Sequence, residues 1–464
     1  MRNKCQVIVV GGSIAGLTFA HCLDHAGIDY IILEKQKNPE ERIGATITVA
    51  PNGARILDQL GIYDAVQEVS ELTRLAHLGY PDGSVFSQHW PRDIEQRLGY
   101  PFSVMTRQQL IDLLKAKLKN EAKIHFGKKV VSIHTEKSEA WVRTEDGSTY
   151  TGDLVVGADG VHSITRSEMW RIASLERPVL IHGDMTRMFA DYRCVFGISD
   201  PVPGIIPGEQ IMRCHNGVSI FVIGGKYGLI GWCVIQKLDR RHHYPKIPRY
   251  TQTDAASLCQ QFRSLPIQNH LKFGDIWERR KTAVMSTLVE GLLKTWHYGR
   301  IVCIGDSVNK TTPTLAQGAN MAIESAASLG NHLHDLFKTN RNQSPPVEEI
   351  MKTLEAFSRN GRFRSTCMSW MCHVGTRIFA REGIFYTLFG RYIALRSDFM
   401  IGIWFSAIMG AGITLDYIIL ERNHHDGFKT QNWVHLIGFL GVLLCSIGIY
   451  WTVTDSFDTW NPLN

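Results

Sequence analysis

Several chemistries are missing from this sequence. Its ten cysteines include no C-x-x-C pair, so neither a zinc site nor a disulfide framework is indicated. Free thiols in a reducing compartment are the expectation. Lysines and arginines form no basic block, and a net charge of +6 is mild for 464 residues, which argues against a nucleic-acid partner. No spacing supports a metal site or a nucleophilic triad. His242 and His243, like His424 and His425, read as loop residues. There is no internal repeat or low-complexity tract. With 44% hydrophobic and 20% charged residues, the chain is not disordered and is long enough for two or three domains.

Long apolar runs are scarce until the C-terminal end. Phe399–Leu415 is uncharged over about 17 residues, near the lower limit for a membrane span. Trp433–Val453 offers about 21, with Trp433, Tyr450 and Trp451 where an interfacial aromatic belt would lie. Both are expected to associate with a membrane, with Asp416 and "ERNHHDGFKTQN" as their connection. A pair of buried core helices is the competing reading. The apolar start "VIVVGGSIAGLTFAHCL" is not read as a signal peptide, because it is strand-like, then broken by glycine, then amphipathic.

That start carries the first chemistry. Val7–Val10 reads as a buried parallel strand, 14–26 as a helix ending at Gly27, and "IDYIILEK" as a second strand ending at Glu34. Glu34 lies 23 residues after Gly11, the offset of an acid that accepts hydrogen bonds from a ribose. Gly11 permits a tight turn, Gly16 a close helix–strand approach, and the helix N-terminus can face a pyrophosphate. Ser13 stands where a second glycine is usual; its hydroxyl can donate to a phosphate or cap the helix. A carboxylate at the ribose suits FAD or NAD and disfavours a 2′-phosphate. The small residues around Thr48, in "GATITVAPNGARILDQLG", suit backbone lying along a cofactor.

Two distant stretches extend the pattern. "YTGDLVVGADGVHSITR" runs from a strand into Asp159-Gly160, where the aspartate can equally cap the next helix. "GRIVCIGDSVNKTTPTLAQGANMAIESA" places Asp306 at a strand end, before a helix starting near Gly318. A carboxylate there can bond a ribityl hydroxyl. The N–H groups of Gly318, Ala319 and Asn320 can hold a pyrimidine carbonyl.

Together these stretches resemble the single-component flavoprotein monooxygenases of the aromatic-hydroxylase fold, over roughly residues 5–335. Gly11 and Gly16 match the first family motif, Asp159 and Gly160 the second, and Gly305, Asp306, Pro313, Gly318 and Asn320 the third. Arg107, opening "RQQLIDLL", is similar to the family's FAD-contacting arginine. "PNGARILDQLG", "DYRCVFGIS" and "KTWHYGRIVCIGDSVNK" resemble fungal prenyl-chain epoxidases of the paxilline type, from indole-diterpene and meroterpenoid pathways. Ser13 is a familiar variant in that group. Asn309 stands where the family usually has His, and Leu315 and Ala316 where it has Gly.

The resemblance implies an α/β fold: a Rossmann-like FAD-binding domain, an inserted β-sheet substrate domain and a hydrophobic helical C-terminal extension. The expected segments are 1–174 and 285–340 for FAD, 175–284 for substrate, 341–398 as a helical linker and 399–464 at the membrane. FAD is the implied cofactor, with NADPH as reductant and O2 as co-substrate. Oxygen would pass from a flavin C4a-hydroperoxide to the terminal alkene of a farnesyl or geranylgeranyl chain, and a separate terpene cyclase would open the epoxide. Arg193 and Tyr227 resemble an arginine–tyrosine catalytic pair of related fungal enzymes. A lipid-like substrate suits a protein at the endoplasmic reticulum membrane with its catalytic part in the cytosol. Aromatic hydroxylation, prenyl reduction and non-catalytic flavin binding stay open as alternatives.

Overall fold

The structure, a computed structural model, describes residues 3–37, 45–175, 178–268, 270–340, 343–394 and 398–420. Val7, Ile8 and Val9 have no exposed surface, as expected for a strand covered on both faces. Their strand, Asn3–Val10, pairs in parallel with Tyr30–Glu34 on one side and Thr149–Gly157 on the other. Ile301–Cys303 and Ile124–Phe126 extend this sheet in parallel, while Ala140–Thr144 and Val130–Thr135 add an antiparallel arm. The helix Ile14–Ala26 ends at Gly27, which is left-handed at φ 69°. The helix Gln317–Thr339 packs beside it over the main core.

A second eight-stranded sheet is centred on Phe189–Ser199, flanked by Arg280–Leu292 and Ile230–His243. Val218–Gly224 and Glu209–His215 continue it. Its far edge comes from Leu75–Gly79 and Val85–Gln88, so a boundary at 175 does not enclose the sheet. His242 and His243 lie at a strand end rather than in a loop.

The C-terminal part departs most from expectation. The linker segment is dominated by a 33-residue helix, Val347–Phe379, about 50 Å long at 1.5 Å per residue, with a buried face; a short helix, Gly383–Phe389, follows it. The first apolar stretch forms Asp398–Gly410, a helix of 13 residues. At about 20 Å it falls short of the ~30 Å hydrocarbon core. Ile401, Phe405 and Met409, four apart, pack with Trp90, Ile94 and Leu98, and the Trp90 and Phe405 rings stack at 5.2 Å. The Asp398 carboxylate accepts from the N–H groups of His89 and Trp90 at 2.6 and 2.7 Å, holding the start of the helix Trp90–Leu98. Leu415 joins the main core, and the Asp416 N–H donates to Asn331 Oδ1 at 3.0 Å. This stretch is therefore a packed helix and a docked turn, not a span. Among the described residues no helix is long and apolar enough to cross a membrane. Trp433–Val453 and the connection before it lie outside the described residues.

Candidate active site

The turn after the first strand is shaped by sterics. Gly11 has φ +107°, and a Cβ there would lie 2.6 Å from the Ala158 carbonyl oxygen. A Cβ on Gly16 would lie 1.9 Å from the Gly11 oxygen. Backbone thus occupies both places where a side chain would go. The Ser13 hydroxyl makes no capping bond; Arg107 Nη2 donates to it at 2.7 Å. Thr106 and Gln109 form a capping box at the start of the helix Arg107–Ala116, which aims that guanidinium back at the turn. Glu34 is buried and accepts from the N–H groups of Gly12 at 2.8 Å and Gln36 at 2.9 Å.

Beside this turn lies a cavity of about 850 Å³, at the upper end for small-molecule sites. Gly11, Ser13, Glu34, Arg107, Asp159, Asp306, Gly318 and Ala319 all line it, although they come from four separated stretches of chain. Asp159 binds Ser163 Oγ and the N–H and hydroxyl of Thr165, so it caps the helix Ile164–Ala173 as well as facing the cavity. Asp306 is ion-paired with Lys310. A Cβ on Gly318 would meet nothing within 4 Å, leaving the start of the helix Gln317–Thr339 open towards the cavity.

Other cavity residues escaped the sequence reading. Lys35, Lys128, Lys129 and Lys310 line it, and with Arg107 they give five cations against three carboxylates, a balance suited to an anionic ligand. Lys310 could have been found from its i,i+4 spacing to Asp306. Lys128 and Lys129 carry no local motif. His162 also lines the cavity; burial, then Arg249, Arg166 and Lys35, push its pKa below 6.5. Arg166 is fully buried and donates to the carbonyls of Ser307 at 2.9 Å and Val161 at 2.8 Å, tying the second motif to the third.

Six expected residues do not line the cavity: Gly16, packed behind the turn, Pro313, Asn320, Thr48, Arg193 and Tyr227. Asn320 is fully buried: its Oδ1 accepts from the Ala50 N–H at 3.0 Å, and its Nδ2 donates to the carbonyls of Thr48 at 2.9 Å and Ala316 at 2.7 Å. Asn320 and Thr48 therefore fasten the helix to a three-stranded sheet, Thr46–Val49, Phe102–Thr106 and Glu71–Thr73, instead of facing the cavity. Arg193 donates twice to Gln236 Oε1, at 2.8 and 2.6 Å, and lies over the Tyr250 ring. Tyr227 is 89% exposed at a hairpin tip. The neighbouring strand meets Ser199 at Ile230, six positions beyond Arg193, about 20 Å along the sheet. Arg193 and Tyr227 do not meet and neither lines the cavity, which corrects the expected pair. Strand alternation explains this: Tyr192 and Cys194, not Arg193, share the face that packs against Ala380 after the long helix. Pro313 lies in the turn Pro313–Leu315, between two cavity-lining residues.

Comparison with known proteins identifies the ligand. The FAD binding domain family matches residues 4–192 and 242–344, which include every cavity-lining residue. The FAD-dependent monooxygenase nodM of Hypoxylon pulicicidum is 42% identical over 451 residues, 96% of each chain. The FAD-dependent monooxygenase paxM of Penicillium paxilli is 38% identical over 463 residues, 98% of this chain and 97% of that one. The chain belongs to the FAD-dependent monooxygenases. Its cofactor is FAD, and the glycine cradle, the cationic lining and the buried Glu34 suit that dinucleotide. The fold agrees: HpxO of Klebsiella pneumoniae, solved with FAD and uric acid, superposes with TM-score 0.70 at 21% identity, over 88% of this chain and 97% of that one. The p-nitrophenol 4-monooxygenase PnpA of Pseudomonas putida gives 0.70 at 17%, over 89% and 100%. The family match skips 193–241, the interval that holds both Arg193 and Tyr227.

Proposed function

We propose that this monooxygenase epoxidises the terminal alkene of a farnesylated or geranylgeranylated intermediate in fungal indole-diterpene or meroterpenoid biosynthesis. The observation that carries this reading is the likeness, at about two residues in five and over nearly the whole chain, to a set of fungal FAD-dependent monooxygenases. The overall change consumes alkene, O2, NADPH and one proton, and yields epoxide, water and NADP⁺. Bound FAD supplies the redox chemistry, accepting reducing equivalents and activating O2.

The protein's share is binding, orientation and exclusion of water. Glu34 would accept hydrogen bonds from the adenosine ribose, and Arg107 with Ser13 would hold the pyrophosphate beside the turn at Gly11. Asp306 would bond the ribityl chain, and the N–H groups of Gly318 and Ala319 would serve the pyrimidine edge. Trp433–Val453 would keep the protein at a membrane where prenylated substrates partition, and a separate cyclase would take the epoxide.

The test is to supply the FAD-loaded full chain with NADPH, air and a panel of prenylated indoles, prenylated phenols and simple aromatic acids, then locate the mass change. One oxygen added to the prenyl tail is expected. Oxygen on a ring would make it an aromatic hydroxylase, and added hydrogen a prenyl reductase. Flotation of the full chain with lipid vesicles, lost on deleting Trp433–Val453, is expected for the anchor.

A further inference from the structure

The loop Thr311–Gln317 joins two residues that line the FAD cavity, Lys310 and Gly318. It contains the turn Pro313–Leu315 and then Ala316, whose backbone is left-handed at φ 55°. A residue with a Cβ rarely adopts that conformation by itself, so other groups must hold it there. Those groups lie on the long helix Val347–Phe379. Thr314 Oγ1 is 2.6 Å from Thr376 Oγ1, whose single proton is shared between Thr312 Oγ1 at 2.7 Å and the Cys372 carbonyl of its own helix at 2.9 Å; Thr312 Oγ1 in turn donates to that carbonyl at 3.0 Å. With Thr314 donating to Thr376, every hydroxyl proton in the chain is used. Thr376 and Thr312 are buried.

The same helix grips the loop at both ends. Ser369 Oγ donates to Asn309 Oδ1 at 2.6 Å, fixing the strand residue that leads into the loop. Ser369, Cys372 and Thr376 share one helix face by their spacing of three and four. At the far end, Gln317 Oε1 accepts from Asn52 Nδ2 at 3.0 Å, and the same amide donates to Glu324 Oε1. Arg364 of the long helix holds that carboxylate through Nε at 2.9 Å and Nη2 at 2.7 Å.

We infer that Thr376 is a positioning residue for FAD. It does not line the cavity. It holds the loop in the shape that presents the first N–H groups of the helix Gln317–Thr339 to the cofactor. This inference is independent of the substrate.

The test compares Thr376→Val, which keeps the side-chain shape without the hydroxyl, with Thr376→Ser, which keeps the hydroxyl. The readouts are the FAD Kd, the visible circular dichroism of the bound flavin and its reduction potential, on the full chain. For Thr376→Val we expect a Kd raised about fivefold, the size of one lost hydrogen bond, with the dichroism band and potential both displaced. Thr376→Ser restores all three. A Thr376→Val protein that is only less heat-stable, with Kd, dichroism and potential unchanged, overturns the inference, as does a serine variant that behaves like valine. Should Thr376→Val not fold, Thr314→Val, at the half-buried end of the chain, carries the same test with the same outcomes.

Discussion

Around Gly11 and Gly16 the backbone leaves no room for a side chain, whereas the second sheet is joined to the rest by side chains far apart in sequence. In the first region one atom too many meets a carbonyl oxygen. In the second, Glu290 accepts from His373 at 2.8 Å and Arg377 at 3.3 Å, and Arg377 also pairs with Asp191. The Tyr192 hydroxyl donates to Glu382, which Lys237 reaches at 2.6 Å. A steric constraint between near neighbours leaves a glycine pattern. A charge network across three strands and a helix leaves none.

The largest expected effect lies in the first region. Gly16→Ala should release FAD and cost about 3 kcal/mol or more, because backbone meets backbone and no flexible tip can give way. Flavin absorbance per chain and the thermal midpoint measure it. A variant that purifies with full FAD would remove the steric account.

That contrast also sets how far the sequence could be read. The strand–turn–helix–strand unit, Glu34, Asp159 and Asp306 were legible because each sits beside a turn or strand end whose geometry depends on nearby residues. Their convergence on one cavity followed from the family resemblance. Arg193 and Tyr227 misled because two ends of one sheet are about 20 Å apart, a distance that only strand register reveals. The helix Asp398–Gly410 misled for another reason: a short apolar run looks the same against lipid and against Trp90.

Next in size is the charge network. Burial raises the pKa of Glu290, but His373 and Arg377 outweigh it and hold the carboxyl at about 2, below its usual 4.5. A depressed folded-state pKa stabilises the protein above about pH 4.5 and is lost as pH falls towards 2. Glu290→Gln should therefore destabilise the protein at pH 7 by about 3 kcal/mol, with parent and variant converging below pH 4.5. Denaturant midpoints across that range decide it; a gap that stays constant would show that Glu290 acts only through packing.

A smaller effect sharpens the reading of the C-terminal helix. Met409 is almost fully buried, so Met409→Ala should cost about 2 kcal/mol as a cavity in a protein core. The measurement is the unfolding midpoint of the catalytic part, followed through its bound flavin. A helix seated in lipid would leave that midpoint where it was.

The smallest effect joins the two regions, because it sits where the long helix meets the cavity loop. Ala316, in the loop between two cavity-lining residues, holds φ 55°, whereas the left-handed positions of the cavity wall itself, Gly11 and Gly160, are glycines. The related flavoprotein monooxygenases resembled by the third motif use glycine at this place. A Cβ in that conformation costs about 1 kcal/mol. Ala316→Gly should return part of that in the folded state, less the entropy that glycine adds to the unfolded chain. A thermal midpoint equal to the parent's or slightly higher, with FAD bound as tightly, is the expected result. A clear loss of FAD would mean that Ala316 does more than tolerate its turn: its methyl group, together with the threonine chain, would be part of what keeps the loop closed on the cofactor.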